Sequence, residues 1–161
     1  MIVSNASPLI GLARIGKIDI LPRLYGSILV PTAVWEEVVV RGAGQPGADQ
    51  IASAPWVESR DPQNQSLVRA LQQDLDAGEA AAIALALEVQ PVFLLMDERL
   101  GRETARHLGL RCLGTVGALV EAKRKGLVPS VGECPFALRD VAGFHLHEAL
   151  VRKVIAGEGE G

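Results

Sequence analysis

Carboxylate and amide side chains follow two apolar runs of the chain, at positions where strands would end. Asp97 and Glu98 come directly after the run 92–96. Asn5 lies just past the shorter run 1–3. Open α/β sheets keep their active sites at the carboxyl ends of their strands, and oxygen ligands are those that hard divalent ions prefer. The two strand ends therefore predict a site with metal-capable oxygens.

Two further carboxylates, Glu37 and Glu79, lie in predicted helices and also have ordinary explanations. Glu37 lies at the edge of the apolar face of a helix that begins near Pro31, where glutamates are usually solvated or ion-paired. Glu79 stands three residues after Asp76, which is the spacing of a capping box. Glu37 is thus a surface or a site residue, and Glu79 a cap or a ligand. Asp97 could likewise cap the helix after it.

The elements that must position these residues alternate along the chain. Strands are predicted at 1–4, 27–30, 56–59, 92–96 and 111–113. Helices are predicted at 8–15 with Ser7 as its cap, and at 18–24, 31–38, 48–54, 67–75, 78–87, 99–107 and 115–125, with one or two more up to residue 156. Such alternation implies a three-layer α/β fold, with a central, mostly parallel sheet flanked by helices.

Length, composition and charge limit the class of protein. A chain of 161 residues with 48% hydrophobic content can bury one substantial core. We expect a single domain over residues 1–156 and a disordered tail at 157–161. The net charge of -3 argues against a surface that binds nucleic acid as a whole, although a local basic strip would be invisible in that total.

The cysteines and the apolar stretches bear on location. Cys112 and Cys134 lack C-x-x-C spacing, so neither a disulfide framework nor a zinc site is indicated, and a reducing cytoplasm fits best. No signal peptide is recognisable, and no apolar stretch reaches the roughly 20 residues that span a bilayer. We expect a soluble, cytoplasmic protein. His145 and His147 have no nearby partner that completes a metal site and are interpreted as surface residues.

A glycine-rich segment offers a different chemistry. Residues 42–47 match the G-x-G-x-x-G pattern of dinucleotide sites, and Asp61 lies at the separation of a ribose-binding acid. The preceding segment is predicted to be helix, however, and Pro55 leaves only a short helix after the glycines, where pyrophosphate needs a long one. We interpret the segment as a flexible connection. Dinucleotide binding stays as a third hypothesis, which predicts a thermal shift with a nicotinamide or flavin nucleotide.

Five segments carry a family resemblance when they are taken in order. They are residues 2–10, 30–38, 75–83, 96–102 and 114–119. Together they resemble the PIN-domain family, in its prokaryotic branch of VapC-like proteins, over nearly the whole chain. The resemblance implies a parallel sheet with surrounding helices and an acidic pocket that holds magnesium or manganese, with which nucleases of the family hydrolyse RNA. It also implies a toxin held by a cognate antitoxin, and a homodimer, as in many relatives.

The resemblance carries the family's acidic positions over to Asn5, Glu37, Glu79 and Asp97. Our leading hypothesis is a metal-dependent ribonuclease in which the three carboxylates hold Mg²⁺ or Mn²⁺ and act in catalysis, while Asn5 helps to position the ion. A divalent ion acidifies the attacking water and neutralises the leaving oxygen. Converging carboxylates repel each other by about 4 kcal/mol per pair at 4 Å in an effective dielectric near 20, so raised pKa values are expected without a metal.

Asn5 departs from the family, which usually has an aspartate there. An amide oxygen can ligate a metal but brings no charge, and Asp76 and Glu98 would either compensate or serve as helix caps. The second hypothesis is therefore a catalytically weak or silent module that binds RNA or a partner protein. The arginines that follow Asp97 are placed in sequence to meet substrate phosphates. They are Arg99 and Arg102.

Overall fold

A five-stranded parallel sheet forms the centre of the protein. The structure is a computed structural model, and it describes residues 1–127. The strands are β1 (Ile2–Ser4), β2 (Ile28–Val30), β3 (Val57–Ser59), β4 (Leu94–Leu95) and β5 (Cys112–Leu113), in the spatial order β3-β2-β1-β4-β5. Every pairing among them is parallel. The predicted strands are all present, although each is shorter than predicted.

Helices connect the strands and cover the sheet. They are α1 (Ala6–Arg14), α2 (Ile20–Tyr25), α3 (Thr32–Trp35), α4 (Ala48–Ser53), α5 (Gln65–Leu71), α6 (Ala77–Val89), α7 (Arg99–His107) and α8 (Thr115–Arg124). Successive strand residues face opposite sides of the sheet. Ile2 joins one buried cluster with residues of α1, α2 and α8, whereas Val3 joins another with residues of α5, α6 and α7. The predicted three-layer α/β fold is confirmed.

The start of α1 differs from the prediction. Asn5 occupies the cap position and Ala6 begins the helix, whereas Ser7 was predicted to cap it. Pro8 therefore lies within the first turn, where a missing backbone N–H costs nothing because it has no helical partner. The Ser7 hydroxyl donates instead to the Glu98 carboxylate, which is distant in sequence. Ser7 thus bonds to a residue that is close only in the folded protein, and capping preferences, which depend on local sequence, cannot predict such a contact.

The helix predicted from Pro31 changes its winding after one turn. Residues Glu36–Val40 form a π-helical segment directly after α3, and the Arg41 N–H donates to the Glu36 carbonyl oxygen at 2.8 Å. Three consecutive valines crowd an α-helix, because β-branched side chains press on the preceding turn. The wider turn buries Val38 and leaves Glu37 half-buried, while Glu36 is exposed. Single π-helical turns are frequent at functional sites.

The long helix α6 is the central helix of its layer. Its residues 79–86 are all buried, as expected for a helix that is apolar almost all round. It spans Ala77–Val89, a few residues longer than the predicted 78–87. Because α6 packs against α3, α5, α7 and β1, its first turn is held next to the carboxyl ends of the central strands.

Several predictions fall on residues that the structure does not describe. They are the helices expected between residues 128 and 156, the tail at 157–161, Cys134, and the histidine pair at 145 and 147. Within residues 1–127, no helix combines the length and the apolar character that a membrane crossing requires.

Candidate functional site

The carboxyl ends of β1 and β4 lie side by side and carry the predicted site residues. Ser4 is in register with Leu95, and the Asn5 N–H donates to the Leu95 carbonyl oxygen at 3.0 Å. Asn5 and Asp97, which are far apart in sequence, therefore follow two hydrogen-bonded strands at the same edge of the sheet. This is the position that the strand-end argument predicted.

Asp97 is tied to the start of α8. Its Oδ1 accepts the backbone N–H of Thr115 at 2.7 Å, and its Oδ2 accepts the Thr115 hydroxyl at 2.6 Å. Thr115 is the first residue of α8 and is buried, so Asp97 caps α8 and not the adjacent helix α7. Burial raises the pKa of Asp97, although both Thr115 hydrogen bonds act to lower it. The carboxylate is thereby fixed in orientation while each oxygen keeps a free lone pair.

The two arginines predicted to meet phosphates have different surroundings. The Arg102 Nη1 donates to the Met96 carbonyl oxygen at 3.3 Å, and its charge lowers the pKa of Asp97. Arg99 extends into solvent with 93% of its side chain exposed and pairs with Glu103 at 2.9 Å. Of the two, only Arg102 lies beside a site carboxylate in this structure.

Glu98 joins the two strand ends directly. The Asn5 Nδ2 donates to the Glu98 Oε2 at 3.1 Å, and the Ser7 hydroxyl donates to the other carboxylate oxygen. Glu98 occupies the cap position of α7, but its side chain makes no capping bond. The carboxylate therefore points back over the end of β1, and Asn5, only 4% exposed, serves as its buried hydrogen-bond donor.

The capping box at the start of α6 is formed, and its glutamate is also a neighbour of other acids. The Asp76 Oδ1 accepts the Glu79 N–H at 2.8 Å. Burial, then a hydrogen bond with the Asp76 side chain and the charges of Asp76 and Glu98, raise the pKa of Glu79 to about 7, against a smaller lowering by the Asp76 backbone. The structural interpretation of Glu79 is thus correct, and it leaves the carboxyl group among like charges.

Glu37 faces the same group of acids from the π-helical segment. Burial raises its pKa first, and the charges of Asp76 and Glu98 raise it further, while Arg41 lowers it. Glu37 is thus half-buried and within electrostatic range of Asp76 and Glu98, whereas Glu36 on the same segment is exposed.

These carboxylates form one electrostatic group, which we call the acidic group. It consists of Glu37, Asp76, Glu79, Asp97 and Glu98. The charge of Glu98 raises the pKa of three of its members, those of Glu37, Glu79 and Asp97. Burial is the largest cause of each of these raised pKa values, and the neighbouring negative charge adds to it.

The acidic group suits a hard divalent ion in its donor chemistry. A Cβ added at Gly78 would lie 3.4 Å from the Asn5 Oδ1 and 3.6 Å from the Asp76 Oδ1, so amide and carboxylate oxygens meet around this glycine. The members of the acidic group offer oxygen donors, and their five carboxylates outnumber the two neighbouring cations, Arg41 and Arg102. Among residues 1–127, however, no three carboxylates are gathered closely enough to form a ready-made cage.

Sequence reasoning gave Glu98 and Thr115 too little weight. Glu98 was considered only as a substitute charge or a cap, and its link to Asn5 spans 93 residues, which no local pattern reveals. Thr115 was placed only as the start of a helix. A threonine at the start of a helix after a short strand is the available signal, because its hydroxyl and backbone N–H both point out from the helix end.

Comparisons with known proteins agree with the geometry. A family model described as a PIN domain matches residues 1–160. A search of curated proteins found no match. PIN domains have a nuclease-type fold, typically use divalent metals and are associated with RNA binding. The match covers almost all of the chain, and the parallel sheet with its acidic edge is the architecture that the resemblance implied. The chain belongs to the PIN-domain family.

Proposed function

We propose that the protein is a metal-dependent ribonuclease that hydrolyses RNA phosphodiester bonds with Mg²⁺ or Mn²⁺. The observation that carries the proposal is the acidic group itself, in which Glu37, Glu79 and Asp97 share Glu98 as a charged neighbour at the carboxyl ends of β1 and β4. Mutual repulsion among partly buried carboxylates is costly unless a cation is bound. A functional reason for keeping them together is therefore needed.

Each residue has a task in this proposal. Glu37, Glu79 and Asp97 would hold the ion, which when bound acidifies the attacking water and neutralises the leaving oxygen. Thr115 keeps the Asp97 carboxylate in one orientation. Glu37 or Glu79 orients the attacking water through a carboxylate oxygen. Arg102, which lies beside Asp97, is available to a substrate phosphate.

Glu98 offsets the charge that Asn5 lacks. Asn5 stands where the family usually has an aspartate, and its amide donates to Glu98 at 3.1 Å. The negative charge expected at the end of β1 is therefore supplied from the end of β4, a few ångströms away. An aspartate at position 5 would instead face Glu98 as a like charge. We assign Glu98 to the metal site on this geometry.

A catalytically silent module is the second candidate, and Asn5 favours it. Asn5 cannot act as a base, and its side-chain amide donates one hydrogen bond to Glu98. The lack of a ready-made ligand cage within residues 1–127 points the same way. In that case the fold would bind RNA or a partner protein without cutting.

The finer expectations of a VapC-like branch, a toxin role, an antitoxin partner and a homodimer are part of the proposal. They rest on the sequence resemblance alone. Growth arrest on expression in a bacterial host, abolished by Asp97→Asn, would support the toxin role, and normal growth at high expression would contradict it.

Calorimetric titration of Mn²⁺ into the purified protein tests the metal centre. Wild type should bind, Asp97→Asn and Glu79→Gln should lose binding, and Glu58→Gln on the exposed edge strand β3 should bind as wild type does. No wild-type binding at millimolar Mn²⁺ would overturn the metal-dependent proposal.

An RNA-cleavage assay then separates the two candidates. Mixed-sequence RNA should be cut by wild type with Mn²⁺, and cleavage should stop with a chelator or with Asp97→Asn. Metal binding without any cleavage would favour the silent module instead.

A further inference from the structure

A cleft beside the acidic group combines cationic and apolar walls. Its volume is about 330 Å³, at the lower end of the roughly 300–1,000 Å³ range of ligand sites. The lining residues come from α1, the π-helical segment and the glycine-rich loop, and they are Ile10, Arg14, Glu37, Val38, Arg41, Gly42, Gln45 and Pro46. Because Glu37 also belongs to the acidic group, the cleft opens directly next to the proposed catalytic centre.

The polar groups of the cleft are those that bind nucleotides. Arg14 and Arg41 carry the guanidinium groups that hold phosphates in a bidentate manner, and Gln45 adds an amide. The apolar surface of Ile10, Val38 and Pro46 offers a wall against which a sugar or base can pack. The cleft thus has two cationic side chains and one carboxylate, a local excess of positive charge that the overall charge of -3 conceals.

The two arginines of the cleft lie at the ends of two helical elements. Arg14 is the last residue of α1, about 12 Å along the helix axis from Ala6 at a rise of 1.5 Å per residue. Arg41 directly follows the π-helical segment that carries Glu37. The cleft therefore runs between Glu37, a member of the acidic group, and the carboxyl end of α1.

The glycine-rich loop is held in place as one wall. Gly47 has a φ of 95°, which favours glycine, and a Cβ there would lie 2.4 Å from the Ala13 Cβ. The loop is thereby packed closely against α1. The dinucleotide hypothesis fails for this loop, because a π-helical segment precedes it, only the six-residue α4 follows it, and Asp61 accepts the Thr32 N–H at 3.0 Å.

We propose that this cleft binds the sugar-phosphate backbone of single-stranded RNA next to the scissile phosphate, with Arg14 and Arg41 on successive phosphates. This inference rests on the proposed function, whose substrate it extends to the flanking nucleotide. The acidic group repels phosphates, so an RNA strand needs cations nearby to stay bound. The two arginines supply them in the cleft, where Arg41 lies close enough to Glu37 to lower its pKa.

Binding of a short, dye-labelled single-stranded RNA tests the inference. Fluorescence anisotropy is measured in EDTA, so that no cleavage occurs, over a series of salt concentrations. Arg14→Gln and Arg41→Gln should each weaken binding about tenfold, the loss expected for a charge-assisted hydrogen bond. Each should also reduce the slope of log Kd against log salt by about 0.7, the value for one phosphate contact on a single strand.

Arg111→Gln is the matched control. Arg111 is exposed and precedes β5, so it lies at the amino end of the sheet, opposite the site, and its loss removes the same charge. Arg41→Lys should keep the salt slope and lose part of the affinity, because it keeps the charge without the planar fork. Thermal melts of each variant confirm that it is folded.

The outcomes separate the cleft from the catalytic proposal. Weaker RNA binding by the two glutamine variants, with Mn²⁺ affinity unchanged, supports the cleft whether or not the protein cuts RNA. Binding equal to that of Arg111→Gln, or no RNA binding by wild type, overturns the cleft. Loss of Mn²⁺ binding in wild type would overturn the metal centre alone.

Discussion

The two sides of the acidic group differ in how their charge is compensated. Asp97 receives two hydrogen bonds from the start of α8 and lies beside Arg102. Glu37 and Glu79 come from the π-helical segment and from α6; carboxylates are among the charged neighbours of both, and Arg41 lowers the pKa of Glu37. We call Asp97 with its donors from α8 the fixed side of the group. We call Glu37 and Glu79 the repelling side, because burial and neighbouring carboxylates raise the pKa of both.

This difference indicates how the site is built. A carboxylate that already has donors can be oriented before any ion arrives, while carboxylates that repel each other are what gives a cation its binding energy. Glu98 connects the sides, because Asn5 and Ser7 hold it and its charge reaches all three predicted ligands. Variants of each side should accordingly fail in different ways.

The largest effect is expected from Asn5→Asp, which extends the repelling side. The new carboxylate would replace the N–H that donates to Glu98 at 3.1 Å. We expect the metal-free protein to lose about 3 kcal/mol in urea unfolding, from the repulsion and the lost hydrogen bond together. Mn²⁺ should bind more tightly than to wild type and restore stability.

The double variant Asn5→Asp with Glu98→Gln is the control for that change. It exchanges acid and amide across the same contact, so most of the lost stability should return. Unchanged stability in the single variant would mean that Asn5 and Glu98 do not depend on each other.

Thr115→Val should weaken the fixed side. It removes the hydroxyl that donates to Asp97 at 2.6 Å inside a buried contact. The free energy of unfolding should fall by about 2 kcal/mol, as for a buried polar partner left unsatisfied. Thr115→Ser should retain it. Thr104→Val, which removes a hydroxyl that bonds within α7 at 2.8 Å, should cost far less, and equal losses would contradict the assigned role of Thr115.

The repelling side should make the metal-free protein less stable as pH rises. The pKa of Glu79 is raised from 4.5 to about 7 in the folded protein, so the folded state binds a proton more tightly than the unfolded state. The stability that this proton contributes is fully present below pH 4.5 and is lost as pH rises through about 7. Thermal midpoints should fall over that window. Glu79→Gln should flatten the profile and Mn²⁺ should reduce the fall, whereas an identical profile in the variant would refute this account.

Some of this arrangement could be predicted from sequence and some could not. The carboxylate after the run 92–96 was predictable, because parallel strand ends share one edge of the sheet. The capping box at Asp76 was also predictable from local spacing. Each of these two features can be recognised from the residues of one short segment.

The rest depends on contacts that sequence periodicity does not encode. The π-helical segment departs from a period of 3.6 residues, so a helical pattern cannot anticipate where it places Glu37. Glu98 gained its role only when β1 and β4 paired, since its donors Asn5 and Ser7 lie more than ninety residues away. The sequence shows that position 5 lacks a carboxylate, but it does not show that the Asn5 amide donates to Glu98.

The smallest effect is expected from Ser7→Ala, at the connection between the two sides. It removes one donor to Glu98 and leaves Asn5 as the other, so stability should fall by about 1 kcal/mol or less. Ser53→Ala, in an exposed bond within α4 at 2.8 Å, is the control. Mn²⁺ affinity should fall in Ser7→Ala and not in Ser53→Ala, because Glu98 loses its fixed orientation only in the first. Equal Mn²⁺ affinity in both would place Glu98 outside the metal site and leave the three predicted carboxylates to hold the ion without it.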